Sequence, residues 1–440
     1  MMLNKIIDAL QKRGDLAGWT VRHLQTREAQ VYAVPSGIES QRTVENERFL
    51  IDVLKNNSMP DGSPAIGNGN ASLLPGDDIG HAIDQATLVA GLVANPVYGL
   101  PGPSAIPDVP ICDESLRKAP TAVMMDVMER LQGEAGNYPG VRMTAAECFG
   151  EVRHTHLVNS RGLDVEQDDT HVAVEFVLHS RKGEHESETF DEVTYRRVAD
   201  LDLESVLASR AQHSLDSLEA DVPTSWQGPI VLRNDALAVF MGGSDLGGNV
   251  IQNLSSAGSK YSKFTPWEVG TSVFKGEVKG DPLTIWANRA LPYGKASDRF
   301  DGEGLPAQRL ELIRDGVLVN FSASQRYADY LNIPATGAFG NVELAPGKTP
   351  ASALIAEPHI EIIQFSWFNP DAITGDFATE IRFGYIVENG RRKPFKGGML
   401  VGNYLEALAD VRWSAETKFF GSYMGPHTAR FNGMKIDGPA

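Results

Sequence analysis

The chain runs to 440 residues, of which 42% are hydrophobic and 22% charged. Such a composition is that of a globular protein without large disordered regions, and the length calls for two domains rather than one core. A formal charge of −17 speaks against nucleic acid and against an anionic membrane surface as partners, because both are bound largely through Lys and Arg.

From the N-terminus, Met1 to Asp15 places Leu3, Ile6, Ile7 and Leu10 on one helical face. It lacks the continuous apolar stretch of a signal peptide, and no apolar run nears the roughly 18 residues that span a bilayer. A cytoplasmic location is therefore expected. Trp19 to Val34 reads as a strand and Arg48 to Leu54 as mixed, while the Gly-, Pro-, Asn- and Ser-rich run Met59 to Asp78 reads as a loop. A helix is predicted over His81 to Ala94, with Ile83, Leu88, Val89 and Leu92 among its apolar residues. Five prolines between Pro96 and Pro110 exclude regular structure there and suggest a surface connection. A second helix starts at Pro120 and carries Val123, Val127 and Leu131. Two strands follow, Glu151 to Val158 and Thr170 to Ser180. In the latter, Val172, Val174, Phe176 and Leu178 alternate onto one face. A helix over Asp202 to Glu219 closes this half, and Ala220 to Gln227 is the expected boundary. The domains are thus 1–220, α+β, and 228–440, β-rich with a barrel- or sandwich-like architecture.

After Gly228, short β-rich runs alternate with Gly and Pro. Asp315-Gly316 and Asn389-Gly390 each lie between apolar strands, and both dipeptides accept the positive φ of a type I′ hairpin turn. A short helix is expected near Tyr404 to Val411. The two cysteines, Cys112 and Cys148, sit in no CxxC or CxxxC pattern, so they read as buried free thiols rather than metal or redox ligands.

A series of motifs in this second half resembles the TldD/TldE family, whose TldE member is also called PmbA. Phe300-Asp301-Gly302-Glu303-Gly304 resembles its D-D-E-G block, and Leu312 to Leu318 its L-I-E-N-G-V-L hairpin. Thr336-Gly337 with Asn341 resembles the T-G-N stretch, and Leu344 to Gly347 the P-G turn after it. Thr374-Gly375-Asp376-Phe377 resembles T-G-D-F. Ile386 to Gly390, Pro394 to Gly397 and Leu400 to Asn403 resemble I-E-N-G, P-V-K-G and L-I-G-N in order. The weight lies in the whole series appearing in sequence. The N-terminal half matches more loosely, through Asn159 to Gly162 and the helical run after Asp78.

The resemblance implies a metallopeptidase framework. TldD-type members carry H-E-x-x-x-H, two histidines for zinc and a glutamate as general base, with a later cysteine completing the site. Counting from Gly228-Pro229-Ile230-Val231-Leu232, that motif falls at Gly242-Gly243-Ser244-Asp245-Leu246-Gly247, and glycines stand at the three key places. The cysteine block falls at Phe419 to Pro426 and holds no cysteine. Glycine offers no lone pair from its side chain. The expectation is therefore no catalytic or metal-binding residue in this chain and zinc in a TldD-type partner. Within such a complex, extended peptides would be degraded or leader peptides trimmed. Groove or motif positions carried over from the family are Asp301, Glu303, Gly304, Asn341, Gly375, Asp376 and Phe377.

Other readings stand beside this one. Asp301 and Glu303 could form an acid/base pair, but a structural or groove-lining role is favoured because zinc-bearing and zinc-free subunits share them. His154 and His156 lie on the same side of a strand, a spacing that can bind metal, but a third ligand is missing and a solvent-facing pair is the plainer reading. His427 could replace the missing cysteine, or be an ordinary histidine. The run Gly242 to Gly248 lacks the spacing and the Lys of a phosphate loop, so it reads as a tight turn or a close backbone approach. No G-x-S-x-G supports serine-hydrolase chemistry. Two alternatives for the whole chain remain: a metal-free homo-oligomer, such as a homodimer, that binds peptides or a precursor, and a metallopeptidase with relocated ligands.

Overall fold

Alternating apolar positions in the first half assemble one antiparallel sheet. In the computed structural model, which describes residues 2–243 and 249–438, its strands are β1 (Gly18–Val34), β2 (Gly37–Ser58), β3 (Pro64–Leu73), β4 (Val141–Asn159), β5 (Asp164–Lys182) and β6 (His185–Tyr195). They pair in the order β3-β2-β1-β4-β5-β6. Side chains alternate between the two faces, and one face is covered by helices. Helices α1 (Met2–Gln11) and α2 (Ile79–Leu92) bury residues such as Ile6 and Ile83 against Val21, Phe49 and Ile51. Helices α3 (Glu114–Lys118), α4 (Pro120–Ala135) and α5 (Leu203–Asp216) bury Leu116, Met124, Val127, Leu131 and Leu207 against Val31, Cys148, Val174 and Phe176. The predicted alternation over Val172 to Leu178 thus faces this core. The other face presents Arg22, Leu24 and Thr26 to the loop 294–302 across a cleft.

The structure corrects two expectations. Met59 to Asp78 is not a loop throughout, since it contains β3. A Cβ on Gly67 would stand 1.8 Å from the Ala90 carbonyl oxygen, and one on Gly69 would stand 2.0 Å from that of Ala86. The glycines that suggested a loop let α2 lie directly on the strand backbone. For the same reason α2 turns Ala86 and Ala90 inward, while its larger apolar residues Leu88 and Leu92 are 58% and 80% exposed. Cys112 is half-buried, whereas Cys148 is buried as expected.

The second half holds two further sheets, of six and nine strands. The six-stranded one includes Ile285–Asn288, Arg309–Arg314, Asn341–Leu344 and Tyr423–Pro426. The other includes Ile230–Arg233, His359–Phe365 and Asp376–Glu388. Ile285, Leu312 and Val342 of one sheet and Ile230, Ile362 and Ile381 of the other enter a single apolar core. This layered arrangement agrees with the expected sandwich-like fold. Both predicted hairpin turns form, with φ of 49° and 79° at Asp315-Gly316 and of 50° and 73° at Asn389-Gly390. Helix occupies 23% and strand 41% of the chain, a mixed α/β protein. Among the described residues, no helix is long and apolar enough to cross a membrane.

Candidate functional site

The stretch matched to the family's zinc motif begins where a short helix, Asp235–Phe240, ends. The N–H of Gly242 donates to the Val239 carbonyl (3.1 Å) and that of Gly243 to the Ala238 carbonyl (2.8 Å). Gly242 has φ +78°, the left-handed conformation with which a helix commonly terminates. The resemblance implies that the two histidines of H-E-x-x-x-H, five residues apart, are carried on a helix, and here the helix has stopped by Gly242. Space also forbids a ligand: a Cβ on Gly243 would lie 2.4 Å from the Tyr423 Cβ, and one on Gly242 2.5 Å from the Asn249 side chain. The residues at 242 and 243 therefore do not fit the family's zinc ion. Gly247, the third position, lies outside the described residues. The block expected to hold the cysteine is used for packing, with Tyr423 buried and its hydroxyl donating to the Pro426 carbonyl (2.9 Å).

The remaining candidate histidines each have a partner. His154 Nδ1 lies 2.7 Å from Asp168 Oδ1, and His156 Nε2 lies 2.7 Å from Asp164 Oδ1. They share a face of β4, as expected, but are half-buried and engaged with carboxylates of β5 rather than simply solvent-facing. His427 Nδ1 meets the Thr428 hydroxyl at 3.0 Å. No group of three or more His, Cys, Asp or Glu capable of holding a metal occurs among the described residues. Burial pushes the Cys112 thiol up to about 11 and the Cys148 thiol up to about 12, so neither supplies a thiolate near neutrality.

The motif positions divide between two places. Asp301 Oδ1 accepts the N–H groups of Glu303 and Leu305, both at 3.0 Å, and its Oδ2 accepts that of Ala338 at 2.9 Å. Glu303 Oε2 accepts the Gln325 N–H at 2.7 Å, and burial raises its carboxyl above the usual range. Gly304, at φ +92°, has no room for a Cβ because Leu163 stands 2.1 Å away. Asn341 is fully buried, accepting from Ala296 N and donating to the Asn288 carbonyl and the Ser297 hydroxyl. These four residues tie loops together. Gly375, Asp376 and Phe377 lie elsewhere. Asp376 accepts from Asn403 Nδ2 at 2.7 Å, and Phe377 packs on Phe240 and Phe368. Asp301 borders the cleft facing β1, whereas Asp376 and Phe377 border a separate open groove with Asn403 and Met434.

Sequence reasoning missed the cleft itself, a space of about 780 Å³ between the polar face of the first sheet and residues 295–302. Two of its lining residues, Arg153 and Arg196, are held by the buried Asp169 at 3.0 and 3.1 Å, and His171 meets the same carboxylate at 3.0 Å. Burial alone would raise the Asp169 carboxyl, but the hydrogen bond from His171 and the charges of Arg196 and Arg153 hold it well below the usual range. Arg196 Nε also donates to the Gly294 carbonyl at 2.7 Å, and another of its nitrogens to that of Ser297. The only sequence signal was a charged residue at an alternating position of a strand.

This fold has known counterparts. The chain superposes on TldE from Thermococcus kodakarensis with a TM-score of 0.80 at 19% identity, covering 99% of this chain and 100% of that one. A family model described as PmbA/TldA metallopeptidase C-terminal domain matches residues 226–438. Residues 226–438 belong to the TldD/TldE (PmbA) family. An uncharacterised protein of Methanocaldococcus jannaschii is 28% identical over 279 residues, 59% of this chain and 62% of that protein. A zinc metalloprotease TldD homolog of Saccharolobus solfataricus is 21% identical over 316 residues, 66% of each chain. The match thus spans less than two thirds of either relative's length. The family is metallopeptidase-like.

Proposed function

We propose that this chain is a TldE-type subunit without catalytic metal, acting beside a TldD-type subunit that carries H-E-x-x-x-H and zinc. The complex hydrolyses extended, unfolded peptides or trims leader peptides. In it, this chain forms part of the wall around the substrate and offers strand edges. Main-chain hydrogen bonds at such an edge hold an extended peptide with little regard to its sequence.

The observation that carries the reading is the helix end at Gly242-Gly243, where Tyr423 occupies the space a ligand side chain would need. The test is metal analysis and peptide hydrolysis on the purified chain, alone and after co-expression with a TldD-type subunit from the same organism. The expected result is no stoichiometric zinc and no hydrolysis from the lone chain, and hydrolysis once the partner is present. Stoichiometric zinc together with hydrolysis by the lone chain would overturn the proposal in favour of relocated ligands. Tight self-association with peptide binding, and no activity gained from any TldD-type subunit, would favour the metal-free homo-oligomer.

A further inference from the structure

The charges lining the cleft are mostly spoken for. Arg153 and Arg196 are held by Asp169. Of the acids, Glu47 meets His23 at 2.7 Å, Asp298 meets Arg289 at 2.7 Å, and Asp301 accepts backbone N–H groups. Glu151 also lines the cleft, and its charge acts on Arg153.

Two basic residues differ. Arg22 on β1 and Arg48 on β2 both line the cleft. Arg22 pairs in register with Leu50 and Arg48 with Leu24, so the two arginines are diagonal neighbours on one face of adjacent strands. Neither makes a hydrogen bond or ion pair with any described residue. The Nε of Arg22 is buried without an acceptor, as is that of Arg233, whereas the Nε of Arg210 meets an Asp191 carboxylate oxygen. Those two guanidiniums are paired through carboxylates, Arg210 with Asp191 and Asp235, and Arg233 with Glu361. Arg22 has no such compensation. Asp52, two positions from Leu50 on β2, feels the charge of Arg22 but forms no ion pair with it. A buried N–H left unpaired is destabilising, and a planar guanidinium fork is the group that best matches a carboxylate. The fork lies close against Gly302, where an added Cβ would stand 2.9 Å from one Arg22 terminal nitrogen.

We infer that Arg22 and Arg48 form a carboxylate subsite that anchors an anionic group of an extended peptide lying in this cleft. The inference rests on the peptide-binding role proposed above and adds what the cleft selects. Either a peptide's terminal carboxylate or an acidic side chain carries the required chemistry.

The experiment uses three labelled, N-acetylated, unstructured peptides, with binding to the full chain followed by fluorescence anisotropy. The first has a free C-terminus and no acidic side chain, the second is its C-terminal amide, and the third is the amide with one internal Glu. The first should bind roughly tenfold more tightly than the second, the gain of a charge-assisted contact. Recovery of that affinity by the third assigns the subsite to acidic side chains as well, and failure to recover it assigns the subsite to the C-terminus alone. Arg22→Gln and Arg48→Gln should each reduce the preference. Gly302→Ala, which keeps both charges but displaces the Arg22 fork, should do the same with the melting temperature little changed. Equal binding of all three peptides, or a preference that survives in the Arg22→Gln/Arg48→Gln double variant, overturns the subsite and leaves the peptide-binding role intact. Binding of none of them, by the chain alone or with its TldD-type partner, defeats both.

Discussion

His213 shows how one residue ties acid tolerance to the packing between the two halves. It projects from α5 toward Phe383 and Tyr385, with ring centroids 5.5 and 6.2 Å away. Burial, and then the charges of Arg210 and Arg392, push it down from 6.5 to about 4, against the opposing pull of Asp216 and Asp235. The folded state therefore keeps His213 neutral where the unfolded chain would already protonate it. Its penalty is absent above about pH 6.5, grows as pH falls, and levels off near pH 4, at up to about 3 kcal/mol. His171 and His359 are depressed as well, so the comparison must be between variants. His213→Leu should lose less stability than the parent between pH 6.5 and 4, as read by denaturant melts at each pH. Parallel curves for the two proteins would rule out the coupling. The same scale explains the candidate zinc stretch, where Gly242 and Gly243 serve a helix end and a close contact rather than chemistry.

At the scale of the element, β3 and α2 make the most exacting contact, because glycine on the strand replaces side chains between two backbones. Gly69→Ala would push a methyl group into the Ala86 carbonyl, 2.0 Å away, and should destabilise the protein by about 3 kcal/mol. Gly91→Ala, on the outer side of α2 with only the Lys55 amino group within 4 Å, should instead stabilise by up to about 1 kcal/mol. Thermal melts of the two variants should move in opposite directions. These glycines also mark the limit of sequence reading. Alternation in β5 and the Asp-Gly and Asn-Gly turns were legible because each is set by neighbouring residues. β3 was not, because a glycine used for close approach has the same composition as one used in a loop. The inward face of α2 was hidden for a related reason, since the largest apolar side chains are not the ones that fit against a bare strand backbone. For the candidate site, the glycines at 242 and 243 were legible one by one. The cleft was not, as its arginines and acids come from β1, β2, β4, the segment after β6 and a distant loop.

For the whole molecule, Arg196 is the joint where the long sheet meets the second half. One guanidinium spans Asp169 on β5 and the carbonyls of Gly294 and Ser297, and only 3% of it is exposed. Nearby, the Gln167 side chain accepts from Arg299 N at 2.8 Å, and Phe300 packs on Leu157 and Leu163. The proposed domains, 1–220 and 228–440, would be coupled through these contacts, and the cleft holding Arg22 and Arg48 would keep its shape only while they last. Arg196→Met preserves bulk but leaves two backbone carbonyls without a donor and Asp169 with two partners. Loss of one member of a buried ionic cluster costs about 3–5 kcal/mol. That loss should fall on the coupling rather than on either core, because Arg196 lies between the halves and belongs to neither apolar cluster. The expected outcome is a melt that broadens or splits into two steps and faster protease cleavage within 220–227. Peptide binding should weaken although Arg22 and Arg48 are untouched. A single sharp transition at the parent temperature, with unchanged cleavage, would mean that the apolar contacts around Phe300 suffice to hold the halves together.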